Sequence, residues 1–179
     1  KQLLIAKKNI KKIYPKSILK NNLIVKDVIS STSENILDKF SIIKKQKGFD
    51  IIVGNPPYFT IKSSKSIKLD PDFSKLIFGQ INIATLFVGR AYTFLKDGGK
   101  LGLLLPKSML RVDSYKKLRD FLISRFIIEE IIDVGLEFGN VRGEQFILIA
   151  TKKQKKSNKI KIGYFLKDKI IETYEIPLS

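Results

Sequence analysis

The sequence predicts an α/β protein built on a mainly parallel sheet, with helices on both faces and one late antiparallel strand. Three observations carry that expectation. Residues 49–54 (Phe-Asp-Ile-Ile-Val-Gly) and 100–106 (Lys-Leu-Gly-Leu-Leu-Leu-Pro) are short apolar runs closed by Gly or Pro, as in strands buried on both faces. Between them, residues 80–96 place Ile83, Leu86, Phe87, Ala91, Phe94 and Leu95 at helical spacing, and strand, helix, strand in this order is a right-handed βαβ unit. Residues 127–134 and 145–151 read as two further strands. Their link is too short for a parallel crossover, so they pair as an antiparallel hairpin.

The remaining elements follow in order. Apolar residues at 3, 6, 10 and 13 give a lysine-rich amphipathic helix that Tyr14-Pro15 ends. Residues 23–28 form a strand ending at Asp27 and Val28, where an acid can accept hydrogen bonds from an adenine amine or a ribose hydroxyl. Ser30 to Ile43 is helical, capped among Ser31, Thr32 and Ser33, with Ile36, Leu37, Phe40 and Ile43 in one stripe. Residues 59–72 are polar, lysine-rich and without regular period, the pattern of a binding loop. Asp97-Gly98-Gly99 stops the central helix. Residues 114–125 are amphipathic, with Tyr115, Leu118, Phe121 and Leu122 inward. After a polar linker, residues 159–166 and 169–176 form a hairpin that either extends the sheet or begins a recognition region. The expected units are therefore 1–152, and 153–179 as linker and hairpin.

Composition narrows the chemistry. At 179 residues the chain is long enough for one domain with a real core. It has no Cys and no His, which excludes disulfides, a cysteine nucleophile, thiolate zinc sites and the commonest general base; no metal is expected. Base methylation through a cysteine and zinc-dependent deamination are excluded with them. The formal charge of +17 suits nucleic acid, whose phosphates release counterions when neutralised. Only five basic residues are Arg, however, and abundant Lys and Ile equally reflect an AT-rich genome. No apolar run approaches the roughly 20 residues that span a bilayer, and no signal-peptide core is present, so a cytoplasmic location is expected.

The strand over 49–54 ends in Asn55-Pro56-Pro57-Tyr58, where ligands of open α/β sheets bind. Pro56 pushes Asn55 into extended geometry, and each proline fixes its own φ and removes a donor. A stiff corner rich in acceptors remains: the Asn55 side-chain oxygen and the Pro56 carbonyl, with Tyr58 as a flat face. An exocyclic amine on a nucleobase offers two N–H bonds and a π-face to match.

The run Phe-Asp-Ile-Ile-Val-Gly-Asn-Pro-Pro-Tyr resembles the catalytic motif of S-adenosylmethionine-dependent amino-methyltransferases, above all the adenine-N6 DNA methyltransferases of restriction–modification systems. The resemblance covers about residues 20 to 152 and includes Gly98-Gly99 and the Leu105-Pro106-Lys107 strand end. It implies an incomplete Rossmann-like methyltransferase sheet. It also implies Asn55, Pro56, Pro57 and Tyr58 as catalytic residues, and Asp27, Val28 and Asn55 toward the cofactor. Tyr58 and Phe138 would meet the target base, Lys62, Lys65 and Lys107 the DNA backbone. The implied partner is double-stranded DNA. The family's cofactor-binding glycine loop and the acid closing its second strand have no counterpart here. A preceding segment and a target-recognition domain are therefore expected, and the isolated chain is expected to be inactive or very weak. Protein-glutamine and RNA methyltransferases share the amine problem, and a catalytically dead DNA-binding half-domain is the rival of another class. The stretch after Tyr58 is basic and lacks the acidic Glu-Pro segment usual in the glutamine enzymes, which favours nucleic acid.

Overall fold

The structure is a computed structural model that describes residues 28–29, 36–61, 81–135, 143–153, 159–166 and 169–177. The helix expected over 1–13, the strand leading to Asp27, and Lys62, Lys65 and Phe138 lie outside the described residues.

Helix α1 (Ser41–Lys45) leads into strand β1 (Phe49–Gly54), and the two-residue strands β2 (Thr60–Ile61) and β3 (Ile81–Asn82) pair antiparallel. Then come α2 (Ile83–Phe94), β4 (Leu95–Pro106), α3 (Ser108–Arg111), a 3-10 turn at Asp113–Tyr115 and α4 (Lys116–Arg125). Strands β5 (Phe126–Gly135), β6 (Gln145–Lys152), β7 (Lys159–Leu166) and β8 (Lys169–Pro177) complete the chain. Six strands form one sheet in the order β1-β4-β6-β5-β7-β8. β1 is parallel to β4 and β5 to β7, while β6 runs antiparallel between β4 and β5. This is the open α/β sheet with an inserted antiparallel strand that the short link before β6 demands. The β7–β8 hairpin extends the same sheet through β5.

The core lies between the sheet and the two long helices. Ala84, Val88 and Ala91 of α2 and Leu118 and Leu122 of α4 pack on Leu101, Leu103, Leu105, Phe146, Leu148 and Ala150. Every second residue of β4 and β6 therefore faces the helices, the period-2 alternation of a pleated strand. Asn82 caps α2, its side-chain oxygen accepting from the Ala84 N–H at 2.9 Å, and the Ile83 N–H donates to the Phe59 carbonyl at 3.0 Å. These bonds fix the start of α2 beside the chain leaving Tyr58.

Three expectations are corrected. β1 is not buried on both faces: Ile51 is 63% and Val53 77% exposed, while Ile52 packs on the core. The apolar run sets what burial would gain, but whether a neighbour covers each face is decided by other elements. β4 is likewise covered mainly on one face, with Gly102, Leu104 and Pro106 only half-buried. The helix expected over Ser30 to Ile43 is broken within the described part. The Lys39 and Phe40 N–H groups reach back only three residues, to Ile36 and Leu37, before α1 starts. The Phe40 ring instead packs edge-on against Phe49, centroids 5.9 Å apart.

The junction of α2 and β4 is tight. Gly48 has φ +138°, and a Cβ there would lie 2.6 Å from the Lys96 nitrogen and the Phe94 carbonyl oxygen. A Cβ at Gly99 would lie 2.9 Å from each of the Lys96 and Phe49 carbonyl oxygens. The pairing steps from Phe49–Leu95 to Ile51–Lys100, so Lys96–Gly99 bulges out of the ladder.

Candidate active site

The site is set by where β1 stops. Gly54 pairs with Leu103, and Asn55 then leaves the sheet exposed while Pro56 is buried and Pro57 exposed. Buried and φ-locked, Pro56 fixes the direction in which Asn55 is presented. Tyr58 is half-buried against the edge of the core. Its hydroxyl lies 2.6 Å from Asn55 Oδ1 and 2.9 Å from the Leu104 carbonyl oxygen. One proton cannot be given fully to both. Either it is shared, or Tyr58 donates to Leu104 while the Asn55 amide, rotated end for end, donates to the tyrosine oxygen. Both arrangements keep at least one Asn55 Oδ1 lone pair for a ligand. Burial raises the Tyr58 pKa above its usual value, so the hydroxyl stays protonated.

Beside this corner is a cavity of about 330 Å³ lined by Asn55, Pro56 and Pro57, by Val28, and by Phe87, Arg90 and Phe94 of α2. Its walls are mostly apolar and aromatic, with an amide and a guanidinium as polar groups. That lining suits a flat heteroaromatic ring carrying a few hydrogen-bonding atoms. The residues present thus fit the adenosyl end of S-adenosylmethionine. Val28 is on the wall of the same cavity as Asn55.

Lys107 has a different setting from the one expected of a DNA-backbone contact. Its ammonium is 2.6 Å from Asp133 and 3.3 Å from Glu144, and its N–H donates to the Glu144 carbonyl. The hydrogen bond to Asp133 holds its pKa above the usual lysine value, with Glu144 adding to the effect. Gly135 N–H donates to Asp133 Oδ1 at 3.0 Å, so this cluster ties both ends of the β5–β6 link to the tip of β4. Among the described residues no group of three or more potential metal-ligating side chains occurs, and no helix is long and apolar enough to cross a membrane.

The cavity brings in residues that periodicity assigns to the core. Phe87 and Phe94 belong to the apolar stripe of α2, and spacing cannot tell a core face from a ligand wall. Arg90 has a signal of its own: a cation in the middle of an apolar helix.

Comparison with known proteins gives a consistent picture. The model of the Eco57I restriction-modification methylase family matches residues 1–138. The type II restriction enzyme and methyltransferase RM.Eco57I of Escherichia coli is 35% identical over 92 residues, 49% of this chain and 9% of that protein. A Listeria monocytogenes protein assigned to the class I S-adenosylmethionine-dependent methyltransferases has the same fold, with TM-score 0.56 and 20% identity over 66% of this chain and 37% of its own. DrdV, solved in a complex with DNA, gives TM-score 0.60 at 13% identity over 81% of this chain and 18% of its own.

Proposed function

This chain belongs to the Eco57I restriction-modification methylase family, and from that premise we propose that it is part of an enzyme that methylates adenine N6 in DNA at specific sites. The chain spans only 9% of the E. coli relative's length, so the reading concerns a larger protein. The observation that carries it is the exposed Asn55 amide beside the cavity, held at the tip of β1 by a buried proline.

S-adenosylmethionine supplies an electrophilic methyl group when bound. Val28, Phe87 and Phe94 would hold its adenine, and Asp27 would accept from the adenine amine or the ribose. The target adenine must leave the duplex stack, which costs a few kcal/mol. Tyr58 and Phe138 stack on it, and about 1–3 kcal/mol per stacked base offsets part of that cost. Asn55 Oδ1 and the Pro56 carbonyl accept the two N–H bonds of the amine. Accepting both N–H bonds together favours a tetrahedral nitrogen and draws its lone pair out of ring conjugation. The chain's contribution is positioning and electrostatics; N6 gains the methyl as the methyl–sulfur bond breaks, and the proton it then loses passes to water.

The net charge of +17 and the structure of DrdV with DNA support a DNA substrate. Lys62 and Lys65 are the proposed backbone contacts, and the protein works in the cytoplasm. The test is transfer of labelled methyl to duplex DNA, with the product nucleoside identified by mass spectrometry. A longer protein carrying a glycine-rich cofactor loop should yield N6-methyladenine, and Asn55→Ala should abolish it. The 179-residue chain alone should give little or none. Unchanged turnover in Asn55→Ala sinks the assignment.

A further inference from the structure

We infer that Arg90 is a positioning residue: it holds the Val28–Ile29 turn against helix α2 and thereby fixes one wall of the cavity beside Asn55. The inference deepens the cofactor reading of that cavity and rests on it. Arg90 is only 2% exposed, in the middle of α2. A buried guanidinium is costly unless its donors and charge are met, and an apolar side chain of similar volume would fill the space without that cost. Its placement therefore needs a reason beyond filling.

The reason is in its contacts. Nη2 donates a 2.7 Å hydrogen bond to the Ile29 carbonyl, 61 positions away in the chain. The guanidinium carbon sits 5.8 Å from the centre of the Phe94 ring, within cation–π range. The Ile29 side chain packs with Ile83 and Leu86 of the same helix. The turn is thus held twice, by apolar contact at the start of α2 and by a charge-assisted bond at its middle. Val28, the neighbour of the tethered residue, and Arg90 and Phe94 themselves all line the cavity with Asn55, Pro56 and Pro57. Through this bond the spacing between Val28 and the proline corner is set by a rigid helix and not by the turn's own conformation. A planar fork can meet a carbonyl and a ring together, which a lysine's point charge does less well.

The experiment is amide hydrogen exchange on the 179-residue chain as wild type, Arg90→Gln and Arg90→Lys, with adenosine binding followed by ligand-observed NMR. Losing a charge-assisted hydrogen bond should speed exchange of the peptide spanning Val28–Ile29 about tenfold or more. Protection in β4 and β6 should persist, Arg90→Lys should be intermediate, and adenosine should bind Arg90→Gln more weakly. Exchange at Val28–Ile29 unchanged from wild type overturns the proposal, as does faster exchange with adenosine affinity unaltered. If Arg90→Gln also loses protection in β4 and β6, Arg90→Lys decides: selective loss at Val28–Ile29 supports the tether, and none overturns it. If the selective effect is seen but wild type binds no adenosine, the cofactor reading falls and the tether stands, so the two failures are distinct.

Discussion

The Tyr58 hydroxyl oxygen is 2.6 Å from Asn55 Oδ1, closer than its 2.9 Å approach to the Leu104 carbonyl. The tyrosine of the Asn-Pro-Pro-Tyr corner therefore does two jobs that its sequence position alone does not separate. Its hydroxyl contacts the amide, and its ring is the proposed surface for the target base. Tyr58→Phe keeps the ring and removes the orientation. The expected result is a roughly tenfold loss of turnover, the worth of one hydrogen bond, with DNA affinity little changed. Tyr58→Ala should in addition weaken capture of the extruded base, read as lower fluorescence of 2-aminopurine at the target position. Equal turnover in Tyr58→Phe and wild type would remove the orienting role.

Lys107 is braced by Asp133 and Glu144, so it should behave as a structural cation and not as a phosphate contact. Replacing a residue that neutralises one phosphate lowers the slope of log affinity against log salt by about 0.9. Lys107→Met is expected to leave that slope unchanged while lowering stability by about 1 kcal/mol, measured by urea unfolding. Because the folded state raises the Lys107 pKa, this contribution is fully present below the ordinary value of 10.5 and fades as pH rises through the folded one. Wild-type and Lys107→Met unfolding curves should accordingly differ at neutral pH and converge at strongly alkaline pH. A salt slope that falls by a full unit would reinstate the DNA contact.

Glu129 of β5 reaches Lys100 on β4, at 2.8 Å, across β6, and the Thr151 hydroxyl of the adjacent β6, at 2.5 Å. Burial works against its ionisation, but these two partners outweigh it and the pKa is lowered from 4.5. A depressed carboxylate stabilises above its unfolded value and loses that contribution as pH falls through the folded one. The stability gap between wild type and Glu129→Gln should therefore be present at neutral pH and close as pH falls below 4.5. A gap that is constant with pH contradicts the pairing.

Gly48 lies where a methyl group would strike the backbone joining α2 to β4, at a positive φ. Gly48→Ala combines that clash with strain of about 1–3 kcal/mol, so a loss of about 2 kcal/mol or more is expected in chemical denaturation. Since the residue immediately precedes β1, Asn55 should shift too, lowering turnover of the complete enzyme. A stability change below about 0.5 kcal/mol, the range of ordinary surface substitutions, would show that the junction yields more easily than its geometry implies.

Ile51 and Val53 leave an apolar patch open on β1, at the end of the sheet among the described residues. Exposed apolar strands promote association between chains. Ile51→Thr with Val53→Thr should reduce self-association of the 179-residue chain in size-exclusion chromatography, at little cost in stability because neither side chain is in the core. Unchanged elution would mean that the patch is covered in solution.

Much of this protein was legible in its residues. Two prolines after a β-branched run mark a stiff corner at the end of a strand, because ring closure acts locally and needs no partner. The late antiparallel strand was equally plain, since the short link between Ile127–Val134 and Gln145–Thr151 cannot make a crossover. The hairpin at 159–176 was legible as a pair of strands, but its attachment to β5 was not. What needed the fold were relations between distant segments. A continuous apolar run in β1 cannot say which faces are covered, so Ile51 and Val53 looked buried. Charge alone cannot distinguish a lysine waiting for phosphate from one already paired, and Lys107 meets Asp133 only when β4 and β5 end at the same edge of the sheet, with β6 between them. Likewise, Arg90 reaches Ile29, 61 positions away, only in the folded chain. Local sterics and periodicity are written along the chain; burial and ion pairing depend on which segments meet, and only tertiary packing decides that.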